Sequence, residues 1–179
     1  SQIPQPWPLS VDRTNWSLGT THYNILFLGI VHEGVAFPVI WTALDKQGNS
    51  HSDERMDLLE RFERLFPKAQ IRCLTGDREF VGKVWVSFLL LPRTMPFRLR
   101  LRHIDRIRSR SGKSQQRGER VFGSLQVGEQ RVLTGKRGVW GCRVYVVATR
   151  LDDGELLIVA TDHQPKTALA DYRLRWGIG

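Results

Sequence analysis

Two apolar runs separated by only three residues constrain the fold of this chain more than any other feature of its sequence. Residues 23–31 are almost continuously apolar, the pattern breaks at residues 32–34, and it resumes over residues 35–44. Runs of this length around a turn signal are typical of buried strands joined in a hairpin. Residues 9–16 predict a first strand beside the hairpin, so Asp12 would lie on the sheet.

The residues after the hairpin predict helices and strands in alternation. A helix begins at Asp53, carries apolar side chains at a 3.6-residue period and ends at Pro67. A short strand over residues 70–75 and a second helix over residues 80–91 follow. Asp77 would then lie at the carboxyl end of a strand, where open α/β sheets place reactive groups.

A basic alternation follows the second helix. Arg98, Arg100 and Arg102 alternate with apolar residues, which predicts a strand with one buried face and one basic face. The basic face has two interpretations, a solvated edge strand or a surface that follows the backbone of DNA.

The chain divides by pattern into five segments. Residues 1–8 resemble a linker remnant, residues 9–104 predict the core, and residues 105–118 are polar and basic and predict a mobile loop. Residues 119–161 predict short strands that form an all-β insertion, and residues 162–179 predict the start of a C-terminal helix. This order indicates an α/β class, with a ribonuclease-H-like mixed sheet flanked by helices and a β insertion before the last helix.

The charge indicates the class of partner. The chain carries 27 Lys+Arg against 18 Asp+Glu, a formal net charge of +9, which favours a polyanion: nucleic acid first, an anionic membrane second. No apolar run reaches the ~18 residues that span a bilayer, and no signal peptide is visible, so we expect a soluble, cytoplasmic protein. Cys73 and Cys142 lack the spacing of a zinc site. We expect both to be reduced core residues without a function.

Two aspartates, on the first and fourth predicted strands, would suit phosphoryl transfer. Two carboxylates about 4 Å apart repel by roughly 4 kcal/mol at an effective dielectric constant near 20, so a clustered pair is best explained by a cation between them. Mg²⁺ is a hard cation that prefers oxygen ligands, and it can hold the attacking and leaving oxygens of a phosphate. Asp12 and Asp77 are therefore the candidate metal ligands.

The residues resemble the DDE transposases of the insertion-sequence-four group. That group shares a signature of Tyr, two residues, Arg, three residues, Glu, six residues and Lys. Tyr172, Arg175 and Gly179 fall on the first three positions. Residues 12–14 resemble the first acid motif of the group, and residues 76–79 resemble its second.

The resemblance implies a function and a set of site residues. Asp12 and Asp77 would be catalytic and would hold Mg²⁺, or Mn²⁺ as a substitute, while Tyr172 and Arg175 would contact the DNA backbone. The enzyme would cut and transfer strands of double-stranded DNA at transposon ends, as a homodimer in the synaptic complex of a prokaryotic nucleoid. Gly179 stands at the third-acid position and has no carboxylate, so we expect this chain to be inactive as it stands.

Two other interpretations stay open at this stage. A degenerate or domesticated transposase remnant would use the same basic residues to bind DNA without cleaving it. An unrelated RNA-binding or ribosome-associated protein would also account for the net charge. Taken singly, an Asp at a strand end is most often a turn former, so the prediction depends on the ordered set of motifs.

Overall fold

A computed structural model describes residues 3–177, and its elements follow the predicted order. The strands are β1 (Trp7–Leu18), β2 (Thr21–His32), β3 (Val35–Ala43), β4 (Ile71–Gly76), β5 (Phe97–Arg100), β6 (Arg106–Arg108), β7 (Gln115–Arg117), β8 (Gln130–Val132), β9 (Arg137–Val139), β10 (Cys142–Arg150) and β11 (Leu156–Thr161). The α-helices are α1 (Ser52–Leu65), α2 (Lys83–Leu90), α3 (Gly118–Val121) and α4 (Ala168–Arg173), and 3₁₀ turns at Pro165–Thr167 and Leu174–Trp176 flank α4.

The centre of the molecule is a mixed sheet. Its first five strands lie in the order β3-β2-β1-β4-β5, with β1, β2 and β3 antiparallel, and with β4 parallel to both β1 and β5. The two parallel connections each run through a helix, α1 or α2, as parallel neighbours require. The predicted α/β class and mixed sheet flanked by helices are confirmed.

The β-rich segment before the last helix continues this sheet. Strand β11 pairs with β5, and β10 and β8 follow, all antiparallel, while β9 pairs with another part of β10. Residues 119–161 are thus β-rich as predicted, but β8, β10 and β11 are not a separate unit. The reason is that β5 would otherwise be an edge strand, and β11 satisfies its free backbone groups.

Helix α1 covers one face of the sheet. Its Leu58, Leu59 and Phe62 are buried in the same core as Leu9 and Leu26 of the sheet. Burying each of these side chains contributes on the order of 2 kcal/mol. The predicted helix is confirmed, with its 3.6-residue apolar period as the cause.

The basic segment after β5 is not the loop that the sequence predicts. Within residues 105–118, β6 and β7 form an antiparallel hairpin in which Arg106 pairs with Arg117. The hairpin closes because the Ser109 N–H donates to the Ser114 carbonyl oxygen at 2.8 Å. Local backbone pairing therefore orders a segment that has few apolar side chains.

The exposed basic face predicted for β5 is wrong. All four residues of β5 are buried, including Arg98 and Arg100. The alternation is present, but the face that carries the arginines is covered by α4, with which Arg98 forms hydrogen bonds through Thr167 and Asp171. The sequence period predicts two faces and does not predict what covers each of them.

The C-terminal helix begins at the predicted place. A 3₁₀ turn starts at Pro165, and α4 packs Leu169 and Tyr172 against the face of β10 and β11 that is opposite the main core. Gly179 lies outside the described residues. Among residues 3–177, no helix is long and apolar enough to cross a membrane.

Both cysteines are buried and free, as predicted. Burial raises the pKa of the Cys73 thiol to about 12, so this thiol stays protonated at neutral pH. A buried, protonated thiol is a poor nucleophile and metal ligand.

Candidate active site

The two predicted acids lie side by side on the central sheet. Strands β1 and β4 are parallel neighbours, and their pairing ends with Val11 opposite Gly76. Asp12 directly follows Val11, and Asp77 directly follows Gly76. The sheet register therefore brings together two residues that are far apart in the sequence.

Gly76 permits this close approach. A Cβ atom at this position would lie 2.9 Å from Phe80 Cβ, closer than real Cβ atoms come, and 3.2 Å from Val11 Cγ1, which is a tight contact. Any other residue would therefore force Phe80, three residues after Asp77, to shift. Close packing thus explains why a glycine precedes Asp77 in the sequence.

Each acid is held by a main-chain N–H group. Asp12 Oδ1 accepts a hydrogen bond from the Arg13 N–H at 2.8 Å, and Asp77 Oδ1 accepts one from the Glu79 N–H at 3.0 Å. Asp12 Oδ2 lies 3.6 Å from Arg175 Nη2, a long ion pair. The carboxylates are therefore oriented by the backbone and keep oxygens free to face the cavity.

Burial raises the pKa of Asp12 above its ordinary value of 3.8. The Arg13 N–H and the Arg175 guanidinium oppose this rise, while the negative charges of Asp77 and Glu79 add to it. The carboxylate of Asp12 is thus incompletely compensated by the protein. A cation bound beside it would remove this deficit.

A cavity of about 500 Å³ lies over the two acids. It is lined by residues from four parts of the chain: Asp12, Asp77, Arg78, Glu79, Arg100, Tyr172, Arg175 and Trp176. The structure thus brings both predicted acids together with Tyr172 and Arg175. The position three residues after Tyr172 puts Arg175 on the same side of the C-terminal helix.

Two arginines of this cavity have unused hydrogen-bond donors. The side chains of Arg175 and Arg100 are only 10% and 9% exposed. Within the described part of the chain, Arg175 Nη1 and Arg100 Nε are buried and have no acceptor. Buried donors are almost always paired in folded proteins, so each of these two needs an acceptor, which a bound water or a ligand would supply.

The other two predicted arginines are not in the cavity. Arg98 is 1% exposed and forms an ion pair with Asp171, so the prediction that it contacts DNA from an exposed face is wrong. Arg102 is 51% exposed and forms an ion pair with Asp105 at 2.7 Å, outside the cavity. Of the predicted basic alternation, only Arg100 lines the site.

The sequence interpretation missed the ion pair between Arg13 and Glu79. Arg13 Nε donates to Glu79 Oε1 and Oε2 at 2.9 and 3.0 Å. Each residue is close in sequence to one of the acids, which is a signal that could have been used. The partners are 66 residues apart, so their contact depends on the parallel pairing of β1 with β4.

The side chains of the cavity supply some, but not all, of the oxygen ligands that a hard cation needs. Asp12 and Asp77 contribute carboxylate oxygens, whereas both oxygens of Glu79 are already bound by Arg13. Among residues 3–177, no group of three or more His, Cys, Asp or Glu side chains is placed to hold a metal ion. The position predicted for the third acid, Gly179, lies beyond that range.

Comparison with known proteins identifies the fold. No protein-family profile matches the chain, and no curated protein sequence does. The structure is similar to that of piggyBac transposase in a synaptic complex with hairpin DNA, with a TM-score of 0.54 and 12% identity over 95% of this chain and 38% of that one. This likeness supports a ribonuclease-H-like fold. The chain thus spans less than half of the transposase that it resembles.

Two endonucleases are also similar in structure, at lower scores. The catalytic domain of human endonuclease V matches with a TM-score of 0.47 and 13% identity over 96% of this chain and 76% of that one. Endonuclease V from Bacillus subtilis matches with a TM-score of 0.41 and 10% identity over 96% and 70% of the two chains.

Proposed function

We propose that this chain is the catalytic core of a DDE transposase of the insertion-sequence-four group, a group that cleaves and transfers DNA strands at transposon ends, and that it is inactive as it stands because Gly179 occupies the third-acid position. One observation carries the proposal: Asp12, Asp77, Tyr172 and Arg175, which belong to three separate sequence motifs, line one cavity. Chance placement of four residues from three segments in one cavity would be unusual. The fold shared with piggyBac transposase adds support.

Asp12 and Asp77 would hold Mg²⁺ in this function. Their carboxylate oxygens are the ligands that Mg²⁺ prefers, and the raised pKa of Asp12 fits a site that lacks a positive charge. When bound there, Mg²⁺ would neutralise the charge of the reacting phosphate and align its oxygens. The main-chain N–H groups of Arg13 and Glu79 would keep the two carboxylates oriented.

Arg100 and Arg175 would bind the phosphate of the DNA backbone. Both side chains line the same cavity as the two acids, and each has one buried donor without an acceptor among the described residues. A phosphate oxygen would accept these hydrogen bonds, and the exchange of poorly paired donors for charge-assisted bonds would favour binding. Tyr172 is only 1% exposed, so in place of the DNA contact that the resemblance implies we propose a supporting role: its ring centre lies 5.2 Å from the Arg175 guanidinium and would hold it in place.

The remaining parts of the proposal follow from the resemblance. The partner would be double-stranded DNA, two copies would join two transposon ends, and the protein would act on the DNA of a prokaryotic cytoplasm. Because position 179 is Gly, the chain would bind DNA and metal and would not cleave.

A second candidate function is that of a DNA-binding remnant without cleavage. The favouring observation is that Arg175 Nη2 already lies 3.6 Å from Asp12 Oδ2, so a guanidinium takes the place next to Asp12 where a metal would bind. In that case Asp12 would serve to position Arg175 for phosphate binding.

Calorimetric titration with Mn²⁺ separates the two. We expect saturable binding by the parent chain that is lost in Asp12→Asn and in Asp77→Asn and kept in Asp57→Asn, an exposed acid of α1. DNA binding without any Mn²⁺ binding by the parent would instead support the remnant. A Gly179→Glu variant that nicks DNA in Mg²⁺, with the nicking lost when Asp12→Asn is added, would support the enzyme directly.

A further inference from the structure

We propose that Arg13 and Glu79 form a brace that sets the position of Asp12 relative to Asp77. They would be positioning residues, since they orient the two acids through main-chain hydrogen bonds and since both carboxylate oxygens of Glu79 are bound by Arg13. The consequence for metal binding rests on the proposed function, whereas the brace itself is a property of the protein without metal.

The brace is a continuous chain of hydrogen bonds between the two acids. The Arg13 N–H donates to Asp12 Oδ1 at 2.8 Å, Arg13 Nε donates to both oxygens of Glu79 at 2.9 and 3.0 Å, and the Glu79 N–H donates to Asp77 Oδ1 at 3.0 Å. Each brace residue thus holds one acid with its backbone and the other brace residue with its side chain. A shift of either acid would have to stretch one of these bonds.

The brace is also held from behind. Glu79 Oε2 accepts from the N–H and the hydroxyl of Ser50 at 3.3 and 3.2 Å, and Arg55 Nη2 donates to the Glu79 carbonyl oxygen at 3.1 Å. Arg13 uses its Nη1 group on Asn15 and Asn24 at 2.9 and 3.1 Å. The side chains of Arg13 and Glu79 are each only 13% exposed, so solvent screens their ion pair weakly.

The physical need for such a brace is charge repulsion. Two carboxylates at one site repel each other, and without a cation the sheet alone would have to keep them together. Successive residues of a strand point to opposite faces, so Arg13 cannot neutralise Asp12 directly and acts through Glu79. Arg13 therefore contributes geometry to the site, beyond the net charge that any basic residue would contribute.

A matched control exists elsewhere in the molecule. Arg93 Nε donates to both oxygens of Glu63 at 2.9 and 3.2 Å, the same two-oxygen arrangement, at a place far from the acids. Arg→Lys at either place keeps the positive charge and loses the planar array of donors. A difference between the effects of R13K and R93K is therefore due to the position of Arg13 beside the two acids.

The first test uses metal-free protein in EDTA. We expect R13K to lower the midpoint of urea unfolding, and to lower it less when Asp12→Asn is also present, because the repulsion that the brace resists is then gone. We expect R93K to shift the midpoint equally with and without Asp12→Asn. Equal shifts for R13K in the two backgrounds would overturn the brace. If R13K does not fold, E79Q replaces it and E63Q replaces R93K, and the shift of the urea midpoint is again compared with and without Asp12→Asn.

The second test measures Mn²⁺ binding by calorimetry. We expect R13K to raise the dissociation constant about tenfold, as loss of outer-shell partners usually does, and R93K to leave it unchanged. An unchanged constant in R13K would contradict the positioning role. A parent chain that binds no Mn²⁺ would contradict the proposed function, and the unfolding comparison would still decide on the brace.

Discussion

Arg98 and Arg100 lie two residues apart on the same face of β5, and the structure uses them in different ways. Arg98 donates to Asp171 Oδ2 from Nε and Nη2 at 3.2 and 3.1 Å, and also to the hydroxyls of Thr161 and Thr167. Arg100 has weaker partners, the Leu156 carbonyl oxygen at 3.3 Å and the partly exposed Glu155 at 3.2 Å.

The different partners of Arg98 and Arg100 show how one strand contributes both to stability and to the candidate site. Arg98 lies under α4, where every donor needs a protein partner because no water reaches it. Arg100 lies at the edge of α4, at the cavity, and has a donor without an acceptor among the described residues. Arg98 thus holds the C-terminal helix on the sheet, whereas Arg100 lines the cavity with a guanidinium that the protein pairs less completely.

The largest expected effect comes from breaking the pair of Arg98 and Asp171. Asp171→Ala leaves the Arg98 guanidinium buried without its carboxylate, so we expect the free energy of unfolding to fall by about 3–5 kcal/mol. Glu155→Ala, next to Arg100, should cost only about 0–1 kcal/mol. Urea unfolding measures both. Equal costs would show that the two arginines are not used differently.

Arg100 should matter for DNA more than for stability. If Arg100 binds one phosphate, Arg100→Ala should flatten the plot of log binding constant against log salt concentration by about 0.9. Arg61→Ala, on α1 across the sheet, is the matched control and should leave the slope unchanged. Fluorescence anisotropy with duplex DNA at several salt concentrations measures it; an unaltered slope in Arg100→Ala would remove this residue from the interface.

The burial of Asp12 predicts a pH effect, because it raises the pKa of this carboxyl although the Arg175 guanidinium opposes the rise. Since burial raises the pKa of Asp12, the folded state favours its protonated form; this contribution is complete below pH 3.8 and is lost as pH rises through the folded pKa. Asp12→Asn should therefore stabilise the metal-free protein at pH 7 and have little effect at pH 3. Thermal unfolding at both values, beside Asp57→Asn, measures it. A destabilised Asp12→Asn at pH 7 would mean that Arg175 compensates the charge fully, as Asp171 does for Arg98.

The smallest effect is expected at the exposed end of the basic alternation. Arg102 is 51% exposed, so Arg102→Ala should change the free energy of unfolding by about 0–1 kcal/mol. Chemical denaturation of Arg102→Ala and Asp171→Ala, measured side by side, tests which substitution lowers the free energy of unfolding more. A cost as large as that of Asp171→Ala would show that exposure is a poor guide along this segment.

Much of the fold was predictable because its signals are local. The hairpin of β2 and β3, the helix α1 and the C-terminal helix follow from apolar period, turn residues and proline positions, and all are present. Helix α2 begins at Lys83, later than predicted, because the residues after Asp77 form a turn. The joining of β11 to β5 was not predictable, because strand pairing at a distance leaves no local pattern.

The candidate site divides in the same way. The positions of Asp12 and Asp77 on their strand paths and the shared helix side of Tyr172 and Arg175 are readable from the chain alone, since they need only the periods of strand and helix. The burial of Arg98, the place of Arg100 at the cavity and the contact of Arg13 with Glu79 arise only when distant elements pack together. The physical reason is that the environment of a charge depends on which element packs against it, and that is set by contacts between distant parts of the chain.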